Sequence, residues 1–520
     1  MVSFDPGEQQ EKEAYTMYAK VMGAACSGLN GVPITVEADL DRGLPNFEIV
    51  GLANTAVKEA RERVRTALKN SGFCFPRNHI TVNLAPANLR KDGSGLDLAI
   101  AIGILAASGC IPQDRLAGSL FLGELSLDGE LCPVKGVLPM AVAAREAGLK
   151  RLYVPPRNGA EGALIDGLQV YGLPTLRAVT DHLLGRGSWN PVVPREKTKA
   201  AREYPYDFAD VQGQHVAKRA LEVAAAGGHN ILLVGVPGSG KTMLARRLPS
   251  ILPPLTDEEA LEVTKIYSIA GQLGDELGLR QERPFRNPHH TVTARTLIGG
   301  GALPLPGEVT LSHNGVLFLD ELPEFPRAAL EALRQPLEER RVCIHRLHGN
   351  AVYPASFLLV CAQNPCPCGY LGDTERECTC RPHDLERYRN KVSGPLLDRI
   401  DMQIFVGRVP YKDMAGQDHH EETSAAIRQR VCAARERQRK RFAGTGVRCN
   451  AEMNHRQVRR WCLLDSDAAS LLEEAFRKLS LTARSYDRIL KVARTVADLA
   501  GRDILQGMDI AEAVELRNDR

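Results

Sequence analysis

Asn230-Ile231-Leu232-Leu233-Val234-Gly235-Val236-Pro237-Gly238-Ser239-Gly240-Lys241-Thr242 is an apolar run that empties into a glycine-rich turn ending in Lys-Thr. The four aliphatic residues predict a buried strand, and the G-x-x-x-x-G-K-T spacing behind them predicts a phosphate loop feeding a helix. Glycines let such a loop curl until its N–H groups face inward, and the helix N-terminus adds a positive potential that favours anions. On this reading Gly235, Val236, Pro237, Gly238, Ser239, Gly240, Lys241 and Thr242 bind a nucleotide. Lys241 reaches the β- and γ-phosphates and the Thr242 hydroxyl helps to hold Mg²⁺, so the expected cofactors are ATP and Mg²⁺.

Working outward, Gly315-Val316-Leu317-Phe318-Leu319-Asp320-Glu321-Leu322 follows about 80 residues later. Four apolar residues in a row predict a buried parallel strand, which delivers two carboxylates to the edge where the phosphate loop lies. Asp320 is expected to bind Mg²⁺ and Glu321 to polarise the attacking water, because attack on a γ-phosphate consists largely of positioning and charge neutralisation. Phe357 to Ala362 predicts a further buried strand, ending in Gln363-Asn364, and the Asn364 amide is placed to orient the water and sense the γ-phosphate. Arg399, in Ser393-Gly394-Pro395-Leu396-Leu397-Asp398-Arg399, stands where a ring-forming ATPase projects an arginine finger into its neighbour's site; the alternative is a surface ion pair. Arg484, at the start of a late helix, is expected to be a second arginine sensor.

With 520 residues and 44% hydrophobic content the chain is long enough for three or four domains with ordinary cores. A net charge of +3 argues neither for nor against nucleic acid, so any basic surface must be local. Thirteen cysteines scattered along such a chain do not read as a disulfide framework, and the polar N-terminus has no signal-peptide pattern. A reducing cytoplasm is the expected location. The longest apolar run, Leu98 to Ala107, is too short to span a bilayer and predicts a buried helix, so no membrane partner is expected.

Residues 1–20 read as a leader or an added helix. Residues 21–184 predict an α+β domain, with strands at Ile34–Ala38, Phe47–Val50, Ile80–Leu84 and Arg151–Pro155, helices at about 54–70 and 138–147, and a hairpin turning at Asp128-Gly129. Lys91-Asp92-Gly93, Gly123 to Gly129 and Val154-Pro155 resemble the proteolytic domain of Lon proteases, which use a Ser nucleophile with a Lys base. Aligning those motifs puts Gly95 at the serine position and Leu138 at the lysine position, with Ser94 one residue away. The resemblance implies the fold without the peptidase, an unorthodox dyad using Ser94 being the alternative. Residues 185–206, with their glycines and prolines, predict a linker. A core at 207–410 and a helical lid at 411–520 follow.

The ordered motifs of that core resemble the AAA+ superfamily, and specifically its magnesium-chelatase-like group known as ComM or YifB. The marks are Arg283-Pro284-Phe285-Arg286-Asn287-Pro288-His289-His290-Thr291, Gly299-Gly300-Gly301, Pro306-Gly307-Glu308, His313-Asn314-Gly315 and Asn364-Pro365-Cys366-Pro367-Cys368-Gly369. The resemblance implies an α+β Lon-protease-like domain, an α/β P-loop core with a parallel sheet, and a C-terminal α-helical lid. It implies a homo-oligomer, a hexamer, acting as an ATP-driven DNA motor in branch migration when incoming DNA is integrated. A chelatase-like ATPase remodelling a protein or metal-insertion partner is the alternative. By analogy with related ATPases, Asp207 to Gln214 would pack beside the adenine.

Residues 340–345 and 351–353 predict a hairpin whose tip carries Arg346 and His348. In similar helicases such a hairpin lines the pore, where a cationic side chain tracks phosphates; an ordinary surface hairpin is the other reading. The glycine- and proline-rich stretch 296–310 is a candidate for a second pore loop. Cys366 and Cys368, then nine residues, then Cys378 and Cys380, offer four thiols to a tetrahedral structural Zn²⁺, with reduced free cysteines as the alternative. His289-His290, without a nearby acidic partner in sequence, suggests packing or interface hydrogen bonds rather than a metal. Arg428, Arg430, Arg435, Arg437, Arg439, Lys440 and Arg441 predict a basic helix with a solvated face, DNA contact being the other reading.

Overall fold

A computed structural model describes residues 17–51, 55–87, 94–193, 204–273, 278–301, 304–346, 349–409, 421–478 and 482–517. They fall into two compact units, the first within 1–198 with 264–279 and 345–351, the second within 199–263, 280–344 and 352–520.

The first unit is built on a seven-stranded mixed sheet. Its strands are β1 (Tyr18–Ser27), β2 (Asn30–Asp41), β3 (Asn46–Val50), β4 (His79–Ala85) and β5 (Ser119–Phe121), with β8 (Arg151–Val154) and β9 (Gln169–Gly172) at one edge, in the order β3-β4-β2-β1-β5-β8-β9. Strict alternation in β4 sends Ile80, Val82 and Leu84 into the core, the pattern expected of a sheet with one buried face. Helix Asp97–Ala107 is buried along its whole length, which explains why its sequence is apolar after Asp97. Its first residue, Asp97, pairs with Arg63 at 2.9 Å and accepts a hydrogen bond from Leu125 N–H, and burial pushes its carboxyl up to about 6 against the pull of that arginine. A small hairpin, β6 (Glu124–Leu125) and β7 (Leu131–Cys132), turns through Asp128-Gly129, where Gly129 takes a φ of +86°. Ser94 donates its hydroxyl to the Glu124 carboxylate, and Leu138 is fully buried with its N–H on Glu161. Lys91 and Asp92 lie outside the described residues.

The second unit carries a five-stranded sheet whose neighbours are all parallel: β10 (Ile231–Gly235), β11 (Phe285–Arg286), β14 (Val316–Leu319), β17 (Leu358–Gln363) and β18 (Met402–Val406), in the order β11-β14-β17-β10-β18. The central strands read as continuous aliphatic runs because helices such as His215–Gly227 and Lys241–Ile251 cover the sheet. Two-stranded ribbons are inserted before and after β14. One is β12 (Gly299–Gly300) with β13 (Leu305–Pro306), the other β15 (Arg341–Arg346) with β16 (Gly349–Pro354).

The C-terminal part is helical, with helices at Ser424–Arg441, His455–Trp461, Ser466–Lys478, Ala483–Leu499 and Gly507–Glu515. Fully buried Arg494 and nearly buried Arg441 share the carboxylate of Asp498, and Asn450 donates to the same group at 2.8 Å. The basic helix is less solvated than its composition suggests. Arg430 pairs with Glu222 and Glu422, Arg435 donates to Ala225 O, and Arg441 turns inward to Asp498. Their long apolar stems let guanidinium groups reach partners that a charge count does not reveal. The α+β unit, the parallel P-loop sheet and the helical C-terminal part are the fold class expected from the sequence.

Candidate nucleotide site

Strands β10, β17 and β14 are neighbours and run the same way, so their C-terminal ends form one edge. The first ends in the phosphate loop, the second in Asn364 and the third in Asp320-Glu321, which is where ligands bind in open parallel sheets. Lys241 Nζ lies 2.7 Å from Gly235 O, 3.0 Å from Val236 O and 3.3 Å from Asn364 Oδ1. Burial lowers the pKa of this amine, and Asp320 opposes the shift. Thr242 Oγ1 donates to Asp320 Oδ2 at 2.7 Å, so the two candidate Mg²⁺ groups already touch.

The loop is shaped for an anion. Gly238 and Gly240 take φ of +79° and +89°, a region that side-chain-bearing residues rarely occupy. At Gly235 an added Cβ would lie 2.3 Å from Val406 O. The Ser239 hydroxyl is buried with no hydrogen-bond partner among the described residues, and Lys241 is bonded to backbone carbonyls whose place phosphate oxygens can take. An orphaned hydroxyl and a buried cation on a glycine-rich loop at a helix N-terminus fit a triphosphate, and the Thr242–Asp320 pair is suited to Mg²⁺.

Glu321 adopts a left-handed backbone, φ +53° and ψ +49°, and its N–H donates to Asp320 Oδ1 at 3.0 Å. Its carboxylate lies 3.3 Å from His290 Nδ1. No acidic partner for His289-His290 is legible in the sequence, because Glu321 is distant along the chain and approaches through the adjacency of β11 and β14. The signal that could have found it is strand order, which no local pattern carries.

Arg399 and Arg484 do not join this edge. The side chain of Asn230, the residue before β10, donates to Arg399 O at 2.9 Å, at the opposite end of the sheet. Arg399 pairs there with Glu338, while its Nε is buried without a partner among the described residues. Arg484 stands 3.9 Å from Asp398, the neighbour of Arg399 in sequence. The two candidate sensor arginines therefore form a second group, remote from Lys241 of the same chain.

The four cysteine sulfurs lie within 4.8 Å of one another, with separations of 3.3 Å for Cys366–Cys368, 3.7 Å for Cys366–Cys378 and 3.6 Å for Cys368–Cys378. A tetrahedral zinc with Zn–S of about 2.3 Å has sulfur–sulfur edges of about 3.8 Å. N–H groups of Leu371 and Cys368 point at the Cys366 and Cys380 sulfurs, the arrangement that supports thiolate charge. The loop also bears on the phosphate loop: a Cβ at Gly369 would fall 2.7 Å from the Pro237 ring. Tyr388, whose hydroxyl burial pushes up to about 12, donates to Asn364 O at 3.2 Å. Arg346 ends β15, and His348 lies outside the described residues. No helix among the described residues is long and apolar enough to cross a membrane.

Comparison with known proteins matches residues 207–414 to the family described as magnesium chelatase, subunit ChlI. Residues 36–158 match subunit ChlI of Mg-chelatase, and residues 421–517 the C-terminal part of subunit ChlI. The protein YifB of Salmonella typhimurium is 43% identical over 494 residues, covering 95% of this chain and 96% of its own. The competence protein ComM of Haemophilus influenzae is 42% identical over 504 residues, covering 96% and 97%. Lon protease 2 of Bacillus subtilis is 29% identical over 177 residues, 32% of each chain. With a phosphate loop, an acidic strand end and relatives matched over nearly their full length, the chain belongs to the YifB/ComM family of magnesium-chelatase-like AAA+ ATPases.

Proposed function

We propose that this ATPase works as a ring, a hexamer, that moves on DNA, with branch migration during the integration of incoming DNA as its task. The observation that carries the reading is the separation of the two groups: Lys241, Thr242, Asp320 and Asn364 on one edge of the sheet, Arg399 and Arg484 at the other. A site split in this way is completed by a neighbouring copy. ATP is the substrate of this reading, and Thr242 and Asp320 would hold an Mg²⁺ that would supply charge neutralisation at the triphosphate. Lys241 holds the β- and γ-phosphates, Glu321 polarises water, Asn364 orients it, and Arg399 and Arg484 of one copy act on the nucleotide of the next. The name of the Haemophilus relative and the ribbon ending in Arg346 support DNA as substrate.

The test is the ATP hydrolysis rate of the purified full chain without DNA and with single-stranded, duplex and branched DNA. Stimulation, greatest with branched DNA, is expected. A measurable basal rate that no DNA changes would defeat the DNA reading and favour a chelatase-like remodeller of a protein or metal-insertion partner. Peptide hydrolysis is not expected, since Ser94 is engaged by Glu124 and a leucine stands at 138.

The same reading assigns the cysteine loop a structural Zn²⁺ on Cys366, Cys368, Cys378 and Cys380. Because the loop meets Pro237 and the helix after it reaches Asn364, the metal would stiffen the nucleotide site without touching the substrate. Elemental analysis should find about one zinc per chain for a four-thiolate site. Replacing Cys378 and Cys380 by serine should abolish the zinc and lower ATPase activity through a raised KM for ATP. A metal-free wild-type protein of full activity would reject the assignment.

A further inference from the structure

We infer that helix His455–Trp461, in the C-terminal part, is a contact surface for single-stranded DNA, its arginines taking the phosphodiester backbone; the inference rests on the DNA reading above. The helix starts on Asn454, whose side chain accepts from Gln457 N–H while Gln457 caps it in return. One face is spent on the core: Val458 is buried, and the buried Cys462 thiol just beyond the helix donates to Leu490 O at 3.6 Å. Residues three and four apart share a helix face, so Arg456, Arg459 and Arg460 stand together on the other side, all three exposed. Among the described residues none of them makes an ion pair. The cations of helix Ser424–Arg441 are different, since each meets a carbonyl or carboxylate of this chain, as Arg428 does at Ser250 O and Arg437 at Asp503.

Like charges at these spacings repel one another, and with no carboxylate among them the repulsion stays until an anion crosses the face. Arg460 sets its guanidinium over the Trp461 ring, 4.7 Å from the centroid, which limits the freedom of the side chain and leaves its N–H groups unspent for phosphate oxygens. Trp461 is half-buried against the core, and the surface beyond it is apolar. Leu463 is exposed there, and Leu505 N–H donates to Leu463 O at 2.8 Å, which brings the segment bearing exposed Ile504 and Met508 beside the end of the helix. A duplex hides the flat faces of its bases, whereas a single strand offers them. An aromatic and aliphatic border next to unpaired arginines suits that combination of phosphate and uncovered base.

The test is the anisotropy of a fluorescein-labelled oligothymidylate titrated with the full chain over a range of salt concentrations. Replacing Arg456, Arg459 and Arg460 together by alanine should weaken binding roughly 10- to 100-fold and lower the slope of log affinity against log salt by about 2, since each phosphate contact on a single strand adds about 0.7. The triple variant should unfold at nearly the wild-type temperature, as exposed substitutions seldom disturb a fold. Should it not fold, Arg456→Ala alone should lower the slope by about 0.7. A local readout is at hand, because Trp189 and Trp461 are the two tryptophans of the chain. In Trp189→Phe the remaining emission should be quenched by the oligothymidylate, far less by a duplex of equal length, and not at all once the three arginines are gone. A folded triple variant that binds the strand with wild-type affinity and slope would overturn the inference and leave the DNA reading standing, whereas a wild-type chain that binds no strand would overturn both. Equal quenching by the duplex would overturn the assignment to single strands. Polyaspartate that binds the wild type as tightly as the strand, and is lost with the same arginines, would overturn it in favour of an acidic protein partner.

Discussion

Glu321→Gln should bind ATP with nearly unchanged affinity and hydrolyse it about 10² to 10⁴ times more slowly, the range removed with a general base. The substitution preserves shape and hydrogen-bonding reach, so the phosphate loop, Lys241 and the Thr242–Asp320 pair keep their geometry. On the proposed role of Glu321, what is lost is the charge that polarises the water, an interaction made in the transition state, and the loss should therefore fall on kcat and spare KM. Equilibrium binding of a fluorescent ATP analogue, paired with single-turnover hydrolysis, separates the two terms. A variant that still turns over at the wild-type rate would transfer the role to another group.

The second large effect is expected at Arg399. Arginine fingers supplied by a neighbour contribute roughly 10³ to 10⁵ in rate, so Arg399→Ala should be inactive by itself. Its guanidinium lies at the end of the sheet remote from Lys241, and the defect should therefore appear in the adjacent copy's site and not in its own. Mixing Arg399→Ala with Glu321→Gln tests this directly. An Arg399→Ala subunit has an intact Glu321, and a Glu321→Gln neighbour still offers an intact finger. Random mixing in equal amounts should make about a quarter of interfaces competent. Two inactive proteins that together regain activity support action between subunits, whereas continued inactivity would mean that Arg399 serves its own chain.

Much of this arrangement was legible in the sequence because it is written in short range. The aliphatic run before Gly235, the one before Asp320 and the one before Asn364 each announce a buried parallel strand, and strands of that kind end at a common edge. The thiol pairs announce themselves by spacing in the same way. The contact of His290 with Glu321 was not readable, since it depends on which strand lies beside β14. Nor was the inward turn of Arg441 and Arg435, because a run of arginines looks the same whether each head meets water or a carbonyl. The swap of a serine and a lysine for Gly95 and Leu138 was visible residue by residue, but the pairing of Ser94 with Glu124 depends on the fold.

A sheet that holds its phosphate-binding groups at one end and its arginines at the other has a direction. If copies assemble as proposed, contacts between them are heterologous, each subunit giving to one side and receiving from the other, and such contacts either close on themselves or continue as a helix. Information in such a series passes one way. In the proposed assembly a subunit that has lost its nucleotide would still complete the site ahead of it, while one that has shifted its Asp398–Arg399 loop would silence that neighbour and leave the one behind untouched. The proposed assembly would thus take its direction from the strand polarity of a single chain.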